Sequence, residues 1–306
     1  MSALDAQTLF QEYNGSENAG FATIHAPVHH TPGGTPYLQV PGVVMLARPQ
    51  TNPTGLAGFL DGFDTSLGFS QYLDDPTTLP ESSQLCKIAG QTCYMSFGPK
   101  RTMNENASRY FENLKSSGHG SVFEHANFSL LLYGVSRSLT HELIRHRAGM
   151  GFSQLSQRYV SGRMLRFVER PEYRDDAQLH TQFEQRVDRA AEEYAQLTKR
   201  LLEMQKEGST ILSAEARTDL RKKVQQAARS VLPNETEAPI VVTGNVRSWR
   251  HVIEMRADAH AETEIRELAV RIFLCLHLAD PILFGDYEIE QLADGTHAVT
   301  TTYRKV

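Results

Sequence analysis

Apolar and small residues recur at helical spacing between positions 179 and 205, at Phe183, Val187, Ala190, Ala191, Tyr194, Leu197, Leu201 and Met204, with charged residues between them. That stripe predicts one long amphipathic helix. A second helix is expected over 213–232, stopped by Pro233, because a proline ring removes a backbone donor and crowds the preceding turn. The same period places helices over 104–114, 138–147, 245–256 and 262–279. Compact apolar runs predict strands at 43–47, bounded by Pro41-Gly42 and Pro49, at 127–135 and at 239–243. A hairpin of 287–292 with 297–303 turns at Asp294-Gly295. Helices and strands mix without a regular βα alternation, which predicts an α+β fold, and no internal repeat is present.

Two stretches lack either period. Residues 1–37 are rich in Gly, Pro, His and Thr and read as an extended N-terminal arm or lid. Residues 50–80 are rich in Gly, Pro, Asp and Thr and read as an insertion or long surface loop, with a short helix near 69–73.

Composition narrows the function. The 306 residues hold 31 Lys+Arg against 36 Asp+Glu, a net charge of −5, which argues against a basic nucleic-acid coat. Three cysteines (Cys86, Cys93, Cys275) with no CxxC pair disfavour a disulfide framework or a structural metal site and favour a reducing cytoplasm. No apolar run reaches membrane-spanning length, and the first twenty residues show no basic-then-apolar leader, so a soluble intracellular protein without a membrane partner is expected.

Against that average, residues 137–158 are cationic: four arginines (137, 145, 147, 158) less Glu142 leave +3. Arg145, His146 and Arg147, read as consecutive positions of the 138–147 helix, would step by about 100° each and share no face. Either an anion site with arginine forks or a solvated cationic face accounts for them. A second concentration follows at 245–260, where Asn245, Trp249, Val252 and Arg256 fall on one helical stripe that His260 extends if the helix continues. The alternative there is an interface helix with satisfied polar tips. Residues 118–125, Gly-His-Gly-Ser-Val-Phe-Glu-His, form a glycine-flanked turn that either admits a ligand to backbone amides or is an ordinary turn.

Absent motifs decide as much. Neither G-x-G-x-x-G nor G-x-x-x-x-G-K-[ST] occurs. His141-Glu142-Leu143-Ile144-Arg145 puts arginine where a zincin needs its second histidine. Ser153 and Ser156 lack nucleophile-elbow glycines and a neighbouring base, and the cysteines read as small buried hydrophobes.

Arg145-His146-Arg147, eight residues, then Ser156-Gln157-Arg158-Tyr159 resembles the signature of flavin-dependent thymidylate synthases, Arg-His-Arg, seven or sometimes eight residues, then Ser. Residues 136–144, Phe152-Ser153-Gln154-Leu155, 227–233, 241–251 and 255–260 are also similar to actinobacterial members, so the resemblance runs over roughly 38–306. It implies an N-terminal extension (1–37) before one catalytic domain (38–306, with the 50–80 insertion). It also implies mixed helices on a central, largely antiparallel sheet, in a homotetramer with FAD at subunit junctions. By position, Ser96, His119, Ser121, Glu124, Arg145, His146, Arg147, Gln154, Asn245, Arg247, His251, Met255 and His260 would contact the flavin. Glu142, Gln154, Ser156, Gln157, Arg158, Arg229 and Arg256 would contact the nucleotide. Catalytic weight would fall on Arg256, Arg145 and Ser156, the serine by binding, since nothing near it in sequence would deprotonate it. Methylenetetrahydrofolate would donate the one-carbon unit and NADPH would reduce the flavin; no metal and no protein thiol is required.

Two features depart from a plain family member. The spacer 148–155 has eight residues, with Gly149 and Gly151 giving backbone freedom in a loop leading to the nucleotide, and the chain carries the arm and the insertion. Both resemble variants of nucleoside-antibiotic pathways of the polyoxin type that methylate UMP at C5 as well as, or instead of, dUMP. A strict dUMP enzyme and a flavin-binding relative without methylase activity are the alternatives. A nucleic-acid module is disfavoured by the acidic balance and 8% aromatic content.

Overall fold

The computed structural model describes residues 5–159, 162–207, 217–304 and 306. Its first half contains α1 (Ala6–Glu12), β1 (Gly15–Asn18), β2 (Phe21–Ile24), β3 (Val28–His30), β4 (Pro36–Leu38), β5 (Gly42–Ala47), α2 (Ala57–Leu60), α3 (Glu81–Tyr94), α4 (Ala107–Ser116), β6 (Asn127–Tyr133), α5 (Arg137–Leu143) and β7 (Met150–Gln154). Then follow β8 (Phe167–Val168), α6 (Ala177–Lys206), α7 (Arg217–Ala228), β9 (Ile240–Asn245), α8 (Val246–Arg256), α9 (Thr263–Ala279), α10 (Pro281–Phe284), β10 (Tyr287–Gln291) and β11 (His297–Thr301).

Six strands form the main sheet in the order β1-β2-β5-β6-β9-β7, every neighbouring pair antiparallel. The α+β class therefore agrees with the sequence pattern, and the antiparallel centre with what the resemblance implies. Along β6 the burial alternates, with Phe128, Leu130 and Leu132 facing the core. On the core side of the sheet α9 packs across β2 and β5, buried at every position from Glu264 to Leu276. Trp249 of α8, Phe273 of α9 and Phe284 complete this core. Separate small sheets join β3-β4-β8 and β10-β11.

Several expectations change. Residues 5–37 are not an extended arm: α1 packs on α9, β2 pairs with β5, and Leu9, Phe10, Ala22 and Ile24 enter the main core. Strands of three or four residues are too short to show a period. The 50–80 stretch carries short elements of its own, α2 and a 3-10 helix at Phe69–Asp74 that agrees with the short helix expected near 69–73. Leu60, Phe69, Tyr72 and Phe97 give this part of the chain its own apolar cluster.

Helix α3 has no counterpart among the predicted elements, because its buried side includes Ser82, Ser83, Gln84, Lys87 and Gln91 rather than an apolar stripe. The 138–147 helix stops at Leu143, so Arg145, His146 and Arg147 are not helical positions. The spacer after them is largely strand β7, held in register against β9, rather than a free loop. The start of the predicted 213–232 helix lies outside the described residues; its remainder is α7 followed by a 3-10 turn at Arg229–Val231.

Candidate active site

The site is built where α5 ends. Ser136 caps this helix, its Oγ accepting from Leu139 N at 3.0 Å. Both the amide and the hydroxyl of Ser136 donate to the buried Glu264 carboxylate of α9 at 2.7 Å, and burial pushes that acid up to about 7. The start of α5 is thereby fixed to the core. After Leu143 the chain winds through tight turns, Arg145 N to Glu142 O at 3.2 Å and His146 N to Leu143 O at 3.1 Å, before Gly149 at φ +68° opens β7. Turns, not helical steps, send the three signature side chains in different directions.

Helix α8 supplies the opposite wall. Asn245 caps it by accepting from Ser248 N at 2.8 Å. The expected stripe divides: Trp249 and Val252 are buried, with Trp249 Nε1 donating to Phe128 O, whereas Asn245 and Arg256 are half-buried at the helix ends; Arg247, His251 and Met255, spaced by four, lie on the outer face. Arg247 Nη1 pairs with Glu124 Oε1 at 2.6 Å, joining α8 to the 119–125 turn. Gly120 permits that approach, since a Cβ there would lie 2.9 Å from Arg247 Nε. Exposed on this turn are His119, Ser121 and Glu124.

Between the two walls sits Arg256. Its Nη1 donates to Glu142 Oε2 at 2.7 Å and its Nε to His146 Nε2 at 2.9 Å. Burial, with Arg256 and then His251 adding to it, lowers His146 to about 4, so the ring is neutral and carries its proton on Nδ1. His251 meets it edge-on, ring centroids 5.5 Å apart. Gln154 Nε2 donates to Thr140 Oγ1 at 3.1 Å, tying β7 to α5.

Beyond β7, Ser156 Oγ accepts from Arg158 N at 3.4 Å, and the Arg158 guanidinium lies 5.6 Å from the Tyr159 ring centre. Gln157 is buried with its Nε2 unpartnered among the described residues. Among those residues, too, no carboxylate pairs with Arg145, Arg147, Arg158 or Arg229. Unneutralised arginines and an orphan amide donor are the chemistry a phosphorylated ligand satisfies.

Two expected residues bond only within their own local segments among the described residues. Ser96, past the end of α3, bonds Gln91: its amide and hydroxyl donate to Gln91 O at 3.0 Å and 3.5 Å, and its carbonyl accepts from Gln91 Nε2 at 3.3 Å. His260 lies beyond α8, which ends at Arg256, and its exposed ring bonds only Asp258 at 2.9 Å. Sequence reading also missed Ser136, Glu264, Thr140 and Ser248. Ser136 three residues before Leu139 is a legible cap signal, but the reach of Glu264 across 128 positions has none.

The protein-family model described as "Thymidylate synthase complementing protein" matches residues 76–282. That span covers both walls of the site. The chain is 43% identical over 218 residues, 71% of its length and 84% of theirs, to the flavin-dependent thymidylate synthases of Mycobacterium bovis (strain BCG / Pasteur 1173P2) and Mycobacterium tuberculosis (strain ATCC 25177 / H37Ra). It is 41% identical over 228 residues, 74% of its length and 88% of the relative, to that of Corynebacterium glutamicum. The chain belongs to the flavin-dependent thymidylate synthase family.

As a flavin-dependent thymidylate synthase it is a methyltransferase, and every expected site residue, from Ser96 to His260, lies inside the matched span. The donor set fits FAD: exposed arginines 145 and 147, with half-buried Arg247, suit a diphosphate, and the imidazoles of His119 and His251 offer flat faces to aromatic rings. Of the main sheet's strands, β1, β2 and β5 lie outside the matched span. Among the described residues no helix is long and apolar enough to cross a membrane, and no cluster of metal-ligating side chains occurs.

Proposed function

We propose that this enzyme methylates C5 of a uracil nucleotide, dUMP or UMP, with methylenetetrahydrofolate as one-carbon donor, FAD as bound flavin and NADPH as its reductant. The observation that carries the reading is Arg256, held between Glu142 and a neutral His146, in a chain whose arginines 145, 147, 158 and 229 pair with no carboxylate among the described residues. Arg145, Arg147, Arg247 and His251 would hold the flavin, with Asn245 and Met255 beside them and His119, Ser121, Glu124, Gln154, Ser96 and His260 completing the set. When bound, reduced FAD supplies a hydride.

The protein's own share is binding and electrostatics. Ser156, Gln157, Arg158 and Arg229 bind the nucleotide phosphate, the two arginines as forked donors. Gln157 brings an amide whose desolvation is already complete. Arg256 retains N–H donors beyond its two partners, and these face charge that develops on the uracil carbonyl edge as C5 becomes nucleophilic. Arg145 adds a second cation, and Ser156 orients the nucleotide without acting as nucleophile.

A homotetramer with sites at subunit junctions accords with how open the site is on one chain, where Arg145, Arg147, His251 and Met255 are exposed. The UMP reading rests on the eight-residue spacer, since one additional hydroxyl is rejected only weakly without an opposing wall. With β7 paired to β9 over Met150–Gln154, the spacer residues that precede the ladder and shape the approach to the nucleotide are Ala148 and Gly149.

An anaerobic assay with reduced FAD, methylenetetrahydrofolate and either nucleotide, following 5-methyl product, tests the proposal. Product from both nucleotides supports the broad reading. Product from dUMP alone removes the UMP variant, and none from either leaves a flavin-binding relative without methylase activity.

A further inference from the structure

The turn joining the Arg-His-Arg signature to β7 is docked on the start of α8 by a residue outside the expected site set. Ser248 is the third residue of α8, and its Oγ donates to the carbonyl of Ala148 at 2.8 Å across 100 positions of sequence. In a capping box this position turns back to the cap residue's own amide. Here the cap amide is occupied elsewhere: Asn245 N donates to Gly149 O at 3.4 Å, so consecutive carbonyls, 148 and 149, are taken by one helix N-terminus. Asn245 Oδ1 meanwhile accepts from Ser248 N at 2.8 Å, which fixes the serine.

Space reinforces the hydrogen bonds. Gly149 sits at φ +68°, and a Cβ there would collide with Ser248 Oγ and with Asn245 Nδ2. Immediately past this contact the ladder begins, Met150 opposite Gly244 and Gly151 opposite Thr243. Immediately before it stands Arg147, whose carbonyl accepts from Met150 N at 3.4 Å to close the turn. The direction in which Arg147 and His146 leave the turn is therefore set at Ala148 and Gly149, between the end of α5 and the first rung of β7.

We propose that Ser248 is a positioning residue: by clamping Ala148 it holds the signature arginines in the orientation that receives the flavin. The idea rests on the assignment of residues 145–147 to the flavin site. Ser248 touches no ligand in this scheme and acts through Ala148 alone.

The test compares the full-length protein with Ser248→Ala, Ser248→Thr and Gly149→Ala, reading FAD dissociation constants and hydrogen exchange of the flavin-free chain over 145–152. Loss of one neutral hydrogen bond predicts FAD binding about five-fold weaker in S248A, with faster exchange over 145–152 and the protection of α9 unchanged. S248T, which keeps the hydroxyl, restores both. G149A, displacing the same turn from its other side, weakens FAD at least as much, so the proposal remains testable even if S248A does not fold. Unchanged affinity and exchange in S248A, or unchanged FAD affinity in G149A, overturns the clamp. Wild-type protein that binds no FAD overturns the flavin reading instead, while the exchange comparison still decides whether Ser248 holds the turn.

Discussion

Arg256 donates from Nε to Nε2 of His146 at 2.9 Å, and this bond exists only while the imidazole is unprotonated. In an unfolded chain the ring takes up a proton near pH 6.5; in the folded protein it does so only near 4. Between those values the unfolded state binds more protons, so the contribution to stability is complete above about pH 6.5, falls as pH drops toward 4, and changes no further below. His146→Gln keeps an acceptor for Arg256 without titrating. Its melting temperature should decline less than wild type's between pH 6.5 and 4, and identical slopes for the two proteins would exclude His146 as the source.

Arg256 itself should matter to turnover more than to flavin retention. Removing one preorganised donor to developing charge typically costs 10²–10³ in rate, and Arg256→Ala is expected to fall in that range while its flavin absorbance stays largely intact. Because Arg256 also depresses His146, the same variant should titrate His146 at higher pH, measurable by NMR. A colourless variant would place Arg256 in the flavin site instead.

How much of this was legible depends on what each residue faces. The 179–205 helix was plain because Phe183, Val187 and Tyr194 repeat on one buried side. The spacing from Arg145 to Ser156 points to the family without the fold. Helix α3 was hidden, since Lys87 and Gln91 are buried through partners such as Asn104 and Tyr72 that no local pattern announces. The stripe through Asn245, Trp249 and Arg256 follows the helical period but is split by packing, Trp249 going to the core and Arg256 to Glu142. Periodicity identifies a face; only the neighbouring elements decide what that face meets.

Asp286 should be the most sensitive ionic position near α8. Its carboxylate accepts from Arg250 Nη1 and Nη2 at 2.8 Å, from Lys115 Nζ at 2.7 Å and from Thr301 Oγ1 at 2.6 Å, and Arg250 and Lys115 hold its acid well below the usual carboxylate range. The Arg250 side chain is 1% exposed. Asp286→Asn strands two buried cations and should cost about 3–5 kcal/mol in urea unfolding. A loss under about 1 kcal/mol would mean that Arg250's bonds to Leu283 O and Val306 O suffice without the charge.

The N-terminal residues offer a sharper contrast between composition and packing. Gly, Pro, His and Thr over 1–37 suggest a segment that can be cut away. Yet Leu9 is fully buried, Phe10 is 2% exposed, and Ile24 sits opposite Val43 in the central sheet. Truncating a buried leucine to alanine leaves a cavity worth about 2–5 kcal/mol, so Leu9→Ala should lower the urea midpoint substantially although the residue lies far from Arg256 in sequence. Deleting residues 1–27 does more, because it removes both β1 and β2 and bares the edge of β5, a template for pairing with another chain. The shortened protein is expected to aggregate or to lose a cooperative unfolding transition, as seen by size-exclusion chromatography and circular dichroism. If it instead elutes as wild type, unfolds at the same midpoint and retains methylase activity, then residues 1–27 are a removable cover and their burial against α9 contributes little to the fold.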